Sequence, residues 1–146
     1  MPALVAHARR LPLPVEVRGT DQRFPAEVET AVYFCCIEAL QNVVKHSGAG
    51  RGNVTLACRG SVLRFEVRDD GIGFAADLTG PGSGLQNMTD RLAALEGTLE
   101  VRSDRNGTSV AGMLPVERLL AAGPTGPGQR SGASTALVHG RADAGR

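Results

Sequence analysis

Three separated runs in this 146-residue chain combine residue types that can hold a flat, charged ligand. In Asp69-Asp70-Gly71-Ile72-Gly73-Phe74, a carboxylate closes an alternating segment and two glycines follow, one residue apart. Glycines there let a ligand lie against the backbone, and a fixed carboxylate can accept a hydrogen bond from an exocyclic amine. Adenine fits that description; an ordinary acidic glycine turn has the same residues. Upstream, Glu38, Gln41, Asn42 and Lys45 are spaced i, i+3, i+4 and i+7, which makes one polar stripe along a helix, and His46 follows at its end. A solvated helix face produces such a stripe too. Downstream, Gly80-Pro81-Gly82-Ser83-Gly84-Leu85 runs into a helix N-terminus, where free N–H groups and the positive dipole end favour phosphate oxygens. A flexible linker is the plain alternative, and neither a Walker A loop nor a strand-initiated dinucleotide fingerprint is present.

These runs need elements to carry them. Leu13 to Arg18 alternates weakly and predicts a strand, with a turn over Gly19 to Gln22. A long helix is expected from Pro25, with Val28, Val32, Cys35, Ala39 and Val43 as its core stripe and an end near Lys45 to Gly48. Asn53 to Arg59 and Val62 to Arg68 alternate cleanly and read as two half-buried strands joined at Gly60-Ser61. Phe74 to Ser83 has no period and reads as a mobile loop. A second helix from Gly84 buries Leu85, Met88, Leu92 and Leu95, and Gly97 is expected to supply its left-handed stop. Thr98 to Arg102 and Thr108 to Leu114 read as a last hairpin around Asn106-Gly107. Hairpin-linked strands interleaved with two helices predict an α+β two-layer sandwich, a mixed and mostly antiparallel sheet with helices on one face. Residues 1–10 read as the end of an upstream linker or helix, 11–120 as the folded domain, and 121–146, rich in Gly, Ser, Thr and Ala, as a disordered tail.

Composition narrows the function. Sixteen basic against fifteen acidic residues leave a charge of +1, which provides no net drive toward nucleic acid or an anionic membrane. Aromatic residues make up 3% of the chain, too few for base-stacking platforms. No apolar run approaches the roughly 20 residues that span a bilayer, and no signal peptide is evident, so a cytoplasmic location without direct membrane contact is expected, with the cytosolic part of a membrane-anchored sensor as the alternative. Cys35, Cys36 and Cys58 have no zinc-ligand spacing and read as reduced, packed thiols.

Taken in order, Glu-x-x-x-Asn-x-x-Lys-His, Asp-x-Gly-x-Gly and Gly-x-Gly-Leu resemble the N box and the two glycine boxes of the ATP-binding fold shared by histidine kinases, type II topoisomerases, heat-shock chaperones and mismatch-repair ATPases, the Bergerat fold. The stretches Ile37 to His46 and Gly84 to Leu92 are similar to the catalytic domain of two-component sensor histidine kinases, in the subgroup paired with helix-turn-helix response regulators. The likeness covers about Pro12 to Val116. It implies that Asn42 ligates Mg2+ through its amide oxygen and that Glu38 is the general base or water-orienting group. It further implies that Lys45 and His46 sit near the phosphates, that Asp69 takes the adenine amine, and that Gly71 and Gly73 shape the base pocket. Gly82, Gly84 and Leu85 would close the phosphate side, with Phe74 to Ser83 as a short ATP lid, and Thr108 would support the adenine site.

The same resemblance implies ATP and Mg2+ as ligands. It also implies a histidine-bearing dimerisation domain as acceptor and a response regulator reached through the full-length kinase. That acceptor domain has no counterpart in the chain: the histidines are His7, His46 and His139, none in the family's phosphoacceptor setting, so autophosphorylation by this chain alone is not expected. Asp70 stands where many relatives carry Asn, which is expected to place an extra negative charge near the base pocket. Two other readings use the same fold: an anti-sigma-type serine kinase, and a non-catalytic ATP-sensing binding module.

Overall fold

The computed structural model describes residues 2–73 and 84–117. The Phe74 to Ser83 loop, Gly82 and the residue 121–146 tail lie outside the described residues. The order of elements is α1 (Pro2–Ala8), β1 (Val15–Arg18), α2 (Ala26–Asn42) continued by a π-helical turn (Val43–Ser47), β2 (Gly52–Arg59), β3 (Val62–Asp69), α3 (Gly84–Ala93), β4 (Thr98–Asp104) and β5 (Gly107–Pro115).

The five strands form one sheet in the order β1-β2-β3-β5-β4, with β1 parallel to β2 and every other pair antiparallel. The mixed, mostly antiparallel sheet expected from the sequence is therefore present. Alternation sets its two faces. Val54 and Leu56, Leu63, Phe65 and Val67, and Val110 and Leu114 are buried, and they join the α2 stripe (Val28, Val32, Cys35, Ala39, Val43) and the α3 stripe (Leu85, Met88, Leu92) in one core. Within the sheet, the Phe65 ring lies over its cross-strand partner Gly112, where a Cβ would run into it. On the open face, Glu66 takes a 2.6 Å hydrogen bond from Ser109 and lies 3.5 Å from Arg64; both partners hold its carboxyl below the usual range.

Two local details differ from the sequence reading. The short α1 packs into the domain, with Leu4 and Ala8 buried and Leu4 part of the common core. Two inward positions in seven residues give too short a pattern to tell from the sequence which core this segment joins. At the end of α3, the left-handed residue is Glu96 (φ 59°) and not Gly97. Glu96 N–H donates to Ala93 O (3.0 Å) and Gly97 N–H to Leu92 O (2.8 Å), a Schellman ending with Glu96 at C′. Gly97 serves close packing instead: a Cβ there would sit 2.6 Å from Leu114 Cδ2 and 2.7 Å from Met113 O.

Candidate nucleotide site

The inner face of the sheet is apolar until its last row. Beyond the Val67–Val110 pair, β3 ends in Asp69 and β5 begins near Thr108. Asp69 (8% exposed), Thr108 (6%) and Ser47 (1%) are the buried polar residues among those described. All three line one cavity of about 10 Å3 between α2 and the sheet, together with Asn42, Ala39, Val43, Val67 and Val110. Buried polar groups cost stability unless paired, and each of these three has a hydrogen-bond partner within the chain. The cavity has about the volume of one water probe, so a purine is admitted only if its walls part.

Asp69 is oriented from two sides. Its Oδ1 accepts N–H groups from Gly71 (2.8 Å) and Thr108 (3.3 Å). Among the described residues none bonds to Oδ2, which leaves that oxygen able to accept from a ligand. The Thr108 hydroxyl is 3.1 Å from that of Ser103, so the threonine is itself held in place.

The glycines behave as spacers. Gly71 packs on Ser47, where a Cβ would overlap the Ser47 carbonyl, and Gly73 has φ 76° and lies against Ser103 and Asp104. Asn42 and Asp69, 27 positions apart in the chain by their numbering, thus line the same cavity, as the motif reading requires. Leu85 is buried in the apolar core.

Glu38 faces a different space. One turn before Asn42, its carboxylate lies where a Cβ on Gly84 would fall, so the start of α3 meets the N-box stripe there. The adjoining groove, about 430 Å3, is lined by Phe34, Cys35, Glu38, Asn87, Met88, Asp90 and Arg91, and the Arg91 guanidinium stacks 4.7 Å from the Phe34 ring centre. Lys45 and His46 are exposed on the π-helical turn. Cys35, Cys36 and Cys58 are free thiols; burial pushes the Cys35 thiol up to about 11 and that of Cys36 further in the same direction.

Asp70 corrects the sequence reading. Its carboxylate points away from the cavity, with Oδ1 accepting N–H groups from Gly50 (2.9 Å) and Arg51 (3.0 Å) and Oδ2 3.6 Å from Arg51 Nε. The backbone N–H of Arg51 is the largest of the influences that hold this carboxyl below the usual range. Its charge is therefore used in the loop before β2, because consecutive residues at a strand end point to opposite sides. Ser47 was missed in the sequence: a lone serine after a helix carries no signal of burial. Its hydroxyl donates to Val43 O (2.7 Å) and accepts from Ala49 N–H (3.1 Å), and its carbonyl accepts from Ile72 N–H (3.0 Å).

Among the described residues no three His, Cys, Asp or Glu side chains cluster as a metal site, and no helix is long and apolar enough to cross a membrane. A single Asn42 amide oxygen fits an ion held mainly by phosphates and water, which is how Mg2+ commonly binds.

Comparison with known proteins shows the family and the fold. Residues 27–118, more than half of the chain, match the family described as histidine kinase-, DNA gyrase B- and HSP90-like ATPase. The chain is 34% identical over 105 residues to the sensor histidine kinase MctS of Rhizobium johnstonii, covering 69% of this chain and 23% of that protein. It is 38% identical over 88 residues to the sensor histidine kinase YvfT of Bacillus subtilis, covering 60% of this chain and 23% of that one. The chain thus spans about a quarter of the length of these relatives. Its fold matches the histidine kinase domain of a blue-light activated kinase from Erythrobacter litoralis with a TM-score of 0.67 at 23% identity, over 82% of this chain and 63% of that one. The chain belongs to the histidine kinase-, DNA gyrase B- and HSP90-like ATPase family, and its similarity there is to the ATPase domain of sensor histidine kinases.

Proposed function

We propose that this domain binds Mg-ATP and, as part of a longer kinase, presents the γ-phosphoryl group to a histidine on a separate dimerisation domain that passes it to a response regulator. The observation that carries the nucleotide reading is the meeting of Asn42, Ser47, Asp69 and Thr108 at one cavity, with an acceptor oxygen of Asp69 left for a ligand.

In this reading Asp69 Oδ2 accepts the adenine amine and Gly71 and Gly73 let the base approach the backbone. Asn42 holds Mg2+, which neutralises phosphate charge when bound. Lys45 and His46 lie along the same helical run toward the phosphates, and Gly84 brings the α3 N-terminus to Glu38, which orients or deprotonates the acceptor. Gly82 belongs to the same phosphate side on motif grounds. Phosphoryl transfer asks the protein chiefly for positioning and charge neutralisation, and a rigid helix stripe beside a glycine turn supplies both.

Thermal denaturation with and without Mg-ATP tests binding. A ligand at 100 times its Kd stabilises the fold by about 2.7 kcal/mol. The wild-type chain should shift, and Asn42→Ala should lose the Mg2+-dependent part of the shift. Absence of any shift with ATP or ADP would refute the proposal. Transfer is then tested with a separately expressed acceptor domain: acid-labile phosphohistidine supports the kinase reading, and its absence with binding intact supports an ATP-sensing module.

A further inference from the structure

We infer that Asp70 is a positioning residue that fixes the adenine-binding turn to the end of the metal-binding helix; this rests on the nucleotide reading above. The turn over residues 69–73 would be held at Asp69 alone if it depended only on its own strand. It is instead tied to the segment Ser47–Arg51, which begins where the π-helical turn ends, five residues after Asn42. Asp70 Oδ1 accepts the N–H groups of Gly50 (2.9 Å) and Arg51 (3.0 Å), and two residues on, Ile72 N–H donates to Ser47 O (3.0 Å). Between these anchors Gly71 packs directly on the Ser47 backbone.

Ser47 in turn is locked to the helix through Val43 O (2.7 Å). Hydrogen bonds therefore lead from the turn of helix that follows Asn42 through Ser47 to Ile72, the neighbour of Gly71, whose own N–H orients Asp69 Oδ1 (2.8 Å). Bonds to an ionised acceptor are among the stronger ones, and the low value of the Asp70 carboxyl keeps it ionised at neutral pH. The residue is exposed and touches no part of the cavity, so it acts through Gly50, Arg51 and the turn and not on the ligand.

The test uses the full chain with Asp70→Ala and Asp70→Asn. ADP affinity is measured by calorimetry with and without Mg2+, and amide exchange is measured at Ile72, whose N–H does not touch Asp70. Asp70→Ala should weaken ADP binding about 10-fold in both conditions and speed exchange at Ile72, because losing two bonds to a charged acceptor frees the turn. Asp70→Asn, whose amide oxygen still accepts from both N–H groups, should restore affinity to within about threefold. Unchanged affinity in Asp70→Ala, even with a lowered Tm, would show a merely structural role and overturn the assignment. Equal losses in both variants would overturn it too, since charge and not the hydrogen-bonded tie would then be responsible. A wild-type chain that binds no ADP would instead overturn the nucleotide reading, and this assignment with it.

Discussion

Replacing Asp69 with asparagine isolates the one atom on which base recognition would depend in the proposed nucleotide site. In the wild type, Oδ1 is occupied by the N–H groups of Gly71 and Thr108, and Oδ2 is the acceptor left for a ligand. An asparagine keeps its oxygen toward those two donors, so its NH2 must occupy the Oδ2 position. The fold loses little, and Tm without ligand should change by about 1 kcal/mol or less in equivalent stability. Adenine then meets a donor with a donor. Losing a hydrogen bond to a charged group costs about 1.5–3 kcal/mol, or roughly 10- to 150-fold in ADP affinity. The same change should favour a base that presents oxygen at that position, so the preference for ADP over inosine diphosphate should narrow or reverse. Calorimetric titration of both nucleotides against both proteins reads this directly. If Asp69→Asn bound ADP as tightly as the wild type, or lost both nucleotides equally, the assignment of Oδ2 to an exocyclic amine would be wrong.

Other parts of the structure give independent outcomes. Gly84→Ala places a methyl group on the Glu38 carboxylate, a side chain that can swing aside; ADP binding and Tm should hold while the transfer rate to a supplied acceptor falls up to about 10²-fold. Gly112→Ala drives a methyl group into the buried Phe65 ring, and calorimetry should show a loss of about 1–3 kcal/mol. Glu96→Gly relieves a left-handed non-glycine residue at the end of α3 and should raise stability by about 1 kcal/mol; a lowered Tm would contradict the Schellman ending. Glu29 is held below its ordinary value of 4.5 by hydrogen bonds from Arg23 and from Phe24 N–H, and Glu66 is lowered chiefly by Ser109. A carboxyl with a depressed folded value stabilises fully above its unfolded value and loses that contribution as pH falls through the folded one. Tm should therefore begin to drop below about pH 4.5, and the Glu29→Gln, Glu66→Gln double variant should show a flatter acid limb.

Periodicity made much of the fold legible. Every residue of the α2 stripe from Val28 to Val43 is buried, as are the inward positions of β3, because a helix and a strand each write their solvent boundary into the residue order. The motif residues Asn42, Asp69 and Thr108 do line one cavity, since each sits at the end of an element whose register is set by the core. What the sequence concealed depends on contacts between distant segments. Ser47 is buried only because Gly71 and Ile72 come down upon it, and Asp70 turns away only because Gly50 and Arg51 offer two N–H groups. The parallel placement of β1 beside β2 likewise has no local signature, and Gly97 looked like a helix stop because a glycine needed for packing and one needed for a left-handed turn read alike.

In the proposed site the adenine and metal ends of one nucleotide are gripped across the cavity between α2 and the β3–β5 ends. The most direct measurement is an NMR titration of the isotope-labelled chain with ADP, first without and then with Mg2+. The amides of Gly71, Ile72 and Thr108 should shift on adding ADP alone, and the Asn42 side-chain amide should respond when Mg2+ follows. Shifts confined to another region, such as the groove around Phe24 and Tyr33, or an Asn42 amide indifferent to Mg2+, would contradict it.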